Sequence, residues 1–193
     1  MRTLLEQAAQ RAISYLESLD ERKVAPSGEG VKNLSLLDEP LNEHPTDPQE
    51  TLALLDRVGT PATIAMAGPR YFGFVIGGSL PVTVATNWLS SAWDQNTGLY
   101  NITPATAHIE QVALRWLLEM FQLPENSAGA FVTGATVANF TSLAAARHAV
   151  LKKVGWNVEA QGLFGAPPIT VVISEEAHPT LIKSLGLLGL GRK

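Results

Sequence analysis

The sequence predicts an α/β protein preceded by an N-terminal helical arm. Three observations carry that expectation. The short run Ala130-Phe131-Val132-Thr133 ends in a small-residue turn, Gly134-Ala135-Thr136, and leads into an Ala- and Leu-rich helix from Val137 to Val154. A β-branched run, Ile169-Thr170-Val171-Val172-Ile173, leads into a second helical segment, Pro179 to Leu190. Strand, helix, strand, helix at these lengths implies a sheet with at least one parallel pair. Before residue 61 the pattern is instead helix, broken linker, helix.

The elements follow in order. Leu5, Ala8, Ala12, Leu16 and Leu19 recur at helical spacing and predict an amphipathic helix over 2–19. Pro26, Gly28, Gly30, Pro40 and Pro45 then mark a linker or arm. Asp47-Pro48-Gln49-Glu50 is a helix start, with Asp as N-cap and Pro at the first helical position, and that helix is expected to end near Gly59. Residues 61–79 are Gly-rich and apolar, without a clear period. Leu80 to Ala92 reads as a helix with Pro81 in its first turn. Thr103-Pro104 opens a longer one, with Ile109, Val112, Ala113, Trp116, Leu117 and Met120 as its apolar stripe and Leu123-Pro124 as its stop. The chain divides into an arm and linker, 1–60, and an α/β portion, 61–193. Two strands cannot make such a sheet, and Lys193 comes where a third is due. The expectation is an incomplete three-layer α/β/α domain, the N-terminal part of a longer protein.

Composition narrows the function. The chain has 193 residues, 14 Lys+Arg and 18 Asp+Glu, for a net charge of −4. Charged residues make up 17%, against roughly 25% in an ordinary globular chain. With 46% hydrophobic residues, much of the surface is expected to be covered by a partner subunit or by further chain. Mild acidity argues against a nucleic-acid partner, which needs a basic stripe. The absence of Cys excludes disulfides, Cys-ligated zinc and a Cys nucleophile, and is compatible with a reducing cytoplasm. The opening Met1-Arg2-Thr3-Leu4-Leu5-Glu6 turns acidic too early for a signal peptide. Tyr71 to Trp93 has no charge, but its glycines, Pro81 and hydroxyls fit burial in protein rather than in a membrane.

Two motifs can carry chemistry. In Gly134-Ala135-Thr136-Val137-Ala138-Asn139, small residues let a ligand approach the backbone. Free N–H groups at the helix start favour an anion, a phosphate above all, and the Thr136 hydroxyl adds a donor. The same residues also suit a plain strand-to-helix turn with Thr136 as N-cap. In Ser174-Glu175-Glu176-Ala177-His178-Pro179, a His stands at the C-terminal edge of a strand, where ligands bind in open α/β sheets. It can stack on a flat ring, move a proton or simply cap the next helix. His44, His108, His148 and His178 lack metal-ligand spacing, and no metal is expected. The Gly186-to-Gly191 segment follows a helix, so it is no dinucleotide fingerprint. The sequons at Asn33, Asn101 and Asn139 have no accompanying signal peptide and read as chance.

Gly-Ala-Thr-Val-Ala-Asn in a strand-turn-helix, followed about forty residues later by Glu-Ala-His-Pro, resembles the pyridoxal-phosphate-dependent group II amino-acid decarboxylases of the aspartate-aminotransferase (type I) fold superfamily. Pro69-Arg70-Tyr71-Phe72-Gly73-Phe74 is similar to the segment entering that family's substrate pocket. Pro104 to Glu110, leading to Trp116-Leu117 and Leu123-Pro124, is similar to its next long helix. The resemblance covers about residues 50–193. It implies that Ala135 and Thr136 hold the phosphate of pyridoxal 5'-phosphate, and that His178 stacks on the pyridine ring and faces the substrate. Phe74 to Gly77 would form part of the substrate-pocket wall. The family usually has Glu where this chain has Val137.

The family's Schiff-base Lys, in an Asp-x-His-Lys segment, and the Asp that pairs with the pyridine nitrogen have no match before Lys193, and Lys183 reads as a solvated helix residue. The expectation is therefore the first part of a cytoplasmic, homodimeric amino-acid carboxy-lyase, with residues 1–193 inactive alone. The alternatives are an aminotransferase or other enzyme of the same fold, or a non-catalytic interaction module.

Overall fold

The computed structural model describes residues 1–192 and divides the chain into two units, Met1–Gln95 and Asn96–Lys193. The first unit holds α1 (Arg2–Glu17), α2 (Gly28–Lys32), α3 (Pro48–Gly59) and α4 (Pro81–Trp93). The second holds α5 (Pro104–Met120), α6 (Ala135–Lys153), α7 (Val158–Gln161) and α8 (Pro179–Leu187).

In the first unit α1 packs on α3. Arg11 of α1 donates to Asp56 of α3 at 2.6 Å, and Thr60 donates to the other carboxylate oxygen at 2.6 Å. Both contacts hold the Asp56 carboxyl below the usual carboxylate range, Thr60 more strongly than Arg11, while partial burial works the other way. The Arg22 guanidinium lies over the Tyr15 ring, 5.0 Å from its centroid, and donates to the Thr60 carbonyl oxygen. Leu19, Val58 and Ala65 are buried around this network. The predicted cap of α3 is present: Asp47 accepts from the Gln49 N–H at 2.6 Å, with Pro48 in the first turn. The uncharged run from Tyr71 to Trp93 divides into irregular chain and the 13 residues of α4. Among the described residues, no helix is long and apolar enough to cross a membrane.

In the second unit α6 packs along α8, with Leu151, Ser184, Leu185 and Leu188 buried. Both helices close with a glycine in the left-handed region. After α6, Gly155 (φ +80°) donates to Lys152 O and Trp156 to Leu151 O; after α8, Gly189 (φ +74°) donates to Gly186 O and Leu190 to Leu185 O. The end of α5 has the same bonds but places Gln122 at φ +53° where a glycine would be unstrained.

The sheet expected from residues 130–133 and 169–173 is not formed; no strand occurs among the described residues. The physical reason is that a β-branched run supplies side chains but not the neighbouring backbone that completes a ladder. Phe131, Val171, Val172 and Ile173 are all exposed, Val172 at 90%. Exposure is high elsewhere too. The chain presents 15430 Å² to solvent, whereas two separately folded units of about 10 kDa each would expose about 10,700 Å² together. Ile109, Trp116 and Met120, half of the stripe predicted for α5, are exposed. Apolar faces made for burial are bare within each unit.

Candidate functional site

The turn into α6 is set by Gly134. Its φ of +152° and ψ of 173° lie in a region essentially reserved for glycine. A Cβ there would meet nothing within 4 Å, so the requirement is torsional rather than spatial. The helix starts at Ala135, two residues ahead of expectation, with Gly134 and not Thr136 as N-cap. No side chain caps this end, and no acid stands in the first turn. The N–H groups of Ala135, Thr136 and Val137 precede the first helical bond, which Ala138 donates to Gly134 O at 3.0 Å. Ala135 is exposed and Thr136 half-buried.

His178 is exposed and caps α8. Its Nδ1 accepts from the Thr180 N–H at 3.3 Å, with Pro179 at the first helical position. Thr180 Oγ1 stands 2.8 Å from the same Nδ1, and Asn139 Nδ2 of α6 donates to that Oγ1 at 3.1 Å. The Ser184 hydroxyl lies 3.1 Å from Thr136 O and 2.8 Å from Thr180 O. Arg147 donates to Leu188 O at 2.9 Å.

Two of these ties fix the direction of packing. Asn139 meets Thr180, and Arg147 meets Leu188 just past the end of α8, a step of eight residues along each segment. The helices therefore run parallel, and both N-termini lie at one end of the pair. Ala135, Thr136 and His178, picked from two separate motifs, are thus brought to the same end of the second unit. Phe74 and Gly77 belong to the first unit. Phe74 is 90% exposed at φ +55°. Gly77 has φ +100°, and a Cβ there would come within 2.5 Å of Met66 O, so both torsion and space demand glycine. Asn139, Thr180 and Ser184 went unrecognised in the sequence. No pattern in the sequence marked them, because both helices carry other polar residues, among them Thr141, Ser142 and His148 on α6 and Lys183 on α8.

A family model described as the pyridoxal-dependent decarboxylase conserved domain matches residues 32–189. The chain belongs to this decarboxylase family.

Its relatives agree. Aromatic-L-amino-acid decarboxylase of Bacillus atrophaeus is 26% identical over 189 residues, a match covering 98% of this chain and 37% of that protein. Tryptophan decarboxylase 1 of Oryza sativa subsp. japonica is 26% identical over 203 residues, covering 98% and 38%. The chain thus spans well under half the length of these relatives. Among solved structures, mouse CSAD superposes with a TM-score of 0.80 at 21% identity, covering 100% of this chain and 41% of that one. The glutamate decarboxylase domain of diaminobutyrate-pyruvate transaminase and L-2,4-diaminobutyrate decarboxylase from Vibrio parahaemolyticus gives 0.82 at 20% identity, covering 97% and 42%. This decarboxylase-family chain therefore has the fold of the corresponding part of those proteins.

Proposed function

We propose that this chain is part of an amino-acid decarboxylase that uses pyridoxal 5'-phosphate, with Ala135 and Thr136 at the phosphate and His178 against the pyridine ring. The observation that carries the reading is the shared end of α6 and α8. There an uncapped helix start with free N–H donors stands at the same end as an imidazole anchored by its Nδ1. The residues fit the cofactor. Three backbone N–H groups, the Thr136 hydroxyl and the positive end of the α6 dipole form a donor set matched to a phosphate dianion, and no first-turn carboxylate opposes it. An exposed flat ring at the same end of the helix pair suits an aromatic cofactor.

When bound, pyridoxal phosphate supplies the electron sink for the charge left by loss of carbon dioxide. The residues of this chain hold and orient. Gly134 aims the N–H groups, Thr136 adds a hydrogen bond, and His178 presents its Nε2 edge away from the helix it caps. Phe74 and Gly77 are read as substrate-pocket wall, with the strained backbone at Phe74 and Val75 fixing the path of that segment. Residues 1–60 act as the arm, and 61–193 as the first portion of the cofactor domain. In that domain the runs 130–133 and 169–173 become strands of an α/β/α sheet completed by further chain. The bare apolar faces support a homodimer, and the absence of Cys suits a reducing cytoplasm.

The test is product analysis of the full-length protein loaded with cofactor, using aromatic and acidic L-amino acids labelled in the carboxyl group. Release of labelled carbon dioxide with formation of the amine supports the reading. Ketoacid formation without carbon dioxide rejects it in favour of transamination.

A further inference from the structure

Asn139, Thr180 and His178 are joined by a line of side-chain contacts, 3.1 Å from Asn139 Nδ2 to Thr180 Oγ1 and 2.8 Å from that Oγ1 to His178 Nδ1. The backbone N–H of Thr180 points at Nδ1 across a long 3.3 Å, which favours a lone pair on that nitrogen but is a weak contact by itself. The Thr180 hydroxyl is 2.8 Å from the same atom, and it donates there when the ring proton is on Nε2. That leaves Oγ1 as acceptor for the Asn139 amide at 3.1 Å. With the Asn139 amide turned so that Nδ2 faces Thr180, the contacts run Asn139 Nδ2–H to Thr180 Oγ1, Thr180 O–H to His178 Nδ1, with the ring proton on Nε2. Asn139 belongs to α6, so the helix that carries the phosphate-side residues also sets the proton position on a ring carried by α8.

We propose that Asn139 and Thr180 are positioning residues that hold His178 as the Nε2–H tautomer, with Nε2 as the outward donor. The catalytic use of that donor rests on His178 facing the cofactor. The tautomer itself does not. A structural cap alone explains less: capping needs only the Thr180 backbone N–H, whereas the hydroxyl and the amide are additional and aligned.

The test is nitrogen NMR of the full-length protein with ¹⁵N-labelled histidine, the His178 signals being assigned with His178→Gln. Wild type is expected to show a lone-pair Nδ1 and a protonated Nε2. Asn139→Asp reverses the relay, because a carboxylate accepts from the Thr180 hydroxyl and turns its proton away from the ring. The Nδ1 signal is then expected to move toward the N–H type. Thr180→Ser is expected to keep the wild-type pattern, and Thr180→Val to shift Nδ1 while retaining the backbone cap. An Nδ1 signal unchanged in both Asn139→Asp and Thr180→Val, or a protonated Nδ1 in wild type, overturns the proposal. Adding pyridoxal phosphate to wild type separates the two readings: if the His178 signals ignore the cofactor, the ring-facing role fails while the relay stands or falls on the variants.

Discussion

Ser184 of α8 is fully buried, and its hydroxyl stands 3.1 Å from the carbonyl oxygen of Thr136 in the first turn of α6. It also lies 2.8 Å from Thr180 O, two residues past His178. One small side chain thus joins the two segments that the proposed site draws on. Ser184→Ala is expected to cost about 1 kcal/mol, the net worth of one buried neutral hydrogen bond. A shift of the thermal midpoint in the full-length protein measures it. No shift would mean that the Ser184 hydroxyl adds nothing to the pairing of α6 and α8, which the Asn139–Thr180 and Arg147–Leu188 ties and apolar packing then hold without it.

Thr136→Ala removes a hydroxyl and leaves the backbone donors in place. The loss of one hydrogen bond to a charged group costs about 1.5–3 kcal/mol, or roughly ten- to a hundredfold in cofactor retention. Dissociation of pyridoxal phosphate followed by absorbance reads it directly. Unchanged retention removes Thr136 from the site.

Gly134→Ala tests torsion without crowding, since a Cβ there meets nothing within 4 Å. It is expected to destabilise by about 1–3 kcal/mol and to weaken cofactor binding as the N–H groups turn. Gly28→Ala is the control. That position is equally open but lies in α2 without a positive φ, and the substitution is expected to be neutral or slightly stabilising.

Asp56 supplies a pH dependence in the first unit. Its folded carboxyl titrates below its ordinary value because of the Thr60 hydroxyl and then Arg11. Its contribution is therefore complete above the unfolded value of about 3.9 and disappears as pH falls through the lower folded value. Asp56→Asn is expected to lose about 1 kcal/mol near neutrality, a low figure because the Arg11–Asp56 pair is partly exposed. The gap between wild-type and variant midpoints should stay constant from neutral to mildly acidic pH and close below about pH 4. A gap that widens in acid would contradict the sign.

Gln122→Gly relieves a left-handed residue at the end of α5 and is expected to stabilise by about 0.5–1 kcal/mol. A urea midpoint that falls instead would mean that the Gln122 side chain makes a contact worth more than its backbone strain.

Local chemistry made most helices legible in the sequence. Pro48, Pro81, Pro104 and Pro179 each stand at a helix start, and Gly155 ends α6. Asp47 caps α3 as its side chain requires. The site was legible where a backbone peculiarity needed a particular residue, as at Gly134, or where a titratable ring stood at an element boundary, as at His178. What escaped was non-local. The Asn139–Thr180 and Ser184–Thr136 contacts join residues more than forty positions apart, and no spacing rule within one helix marks them. The plainer alternative for Thr136, a hydroxyl N-cap, is not what forms: Gly134 caps α6, and a glycine cap leaves no side-chain signal. The strands failed for a related reason. Residues 130–133 and 169–173 have strand composition, but a ladder belongs to a pair of segments rather than to either one.

The parallel course of α6 and α8 has a cost that an antiparallel pair would escape. Two like-signed helix ends stand at one end of the pair, neither has an acid in its first turn, and their dipoles oppose each other. On the proposed reading the cofactor phosphate supplies a counter-charge, so stripping it removes a ligand and restores a repulsion in one event. The first turns of both helices are then the place where opening begins, detectable as early loss of amide-exchange protection and as new protease cleavage around residues 134–139 and 178–184. Cofactor supply would in this way govern how long the protein survives in the cell as well as how fast it works.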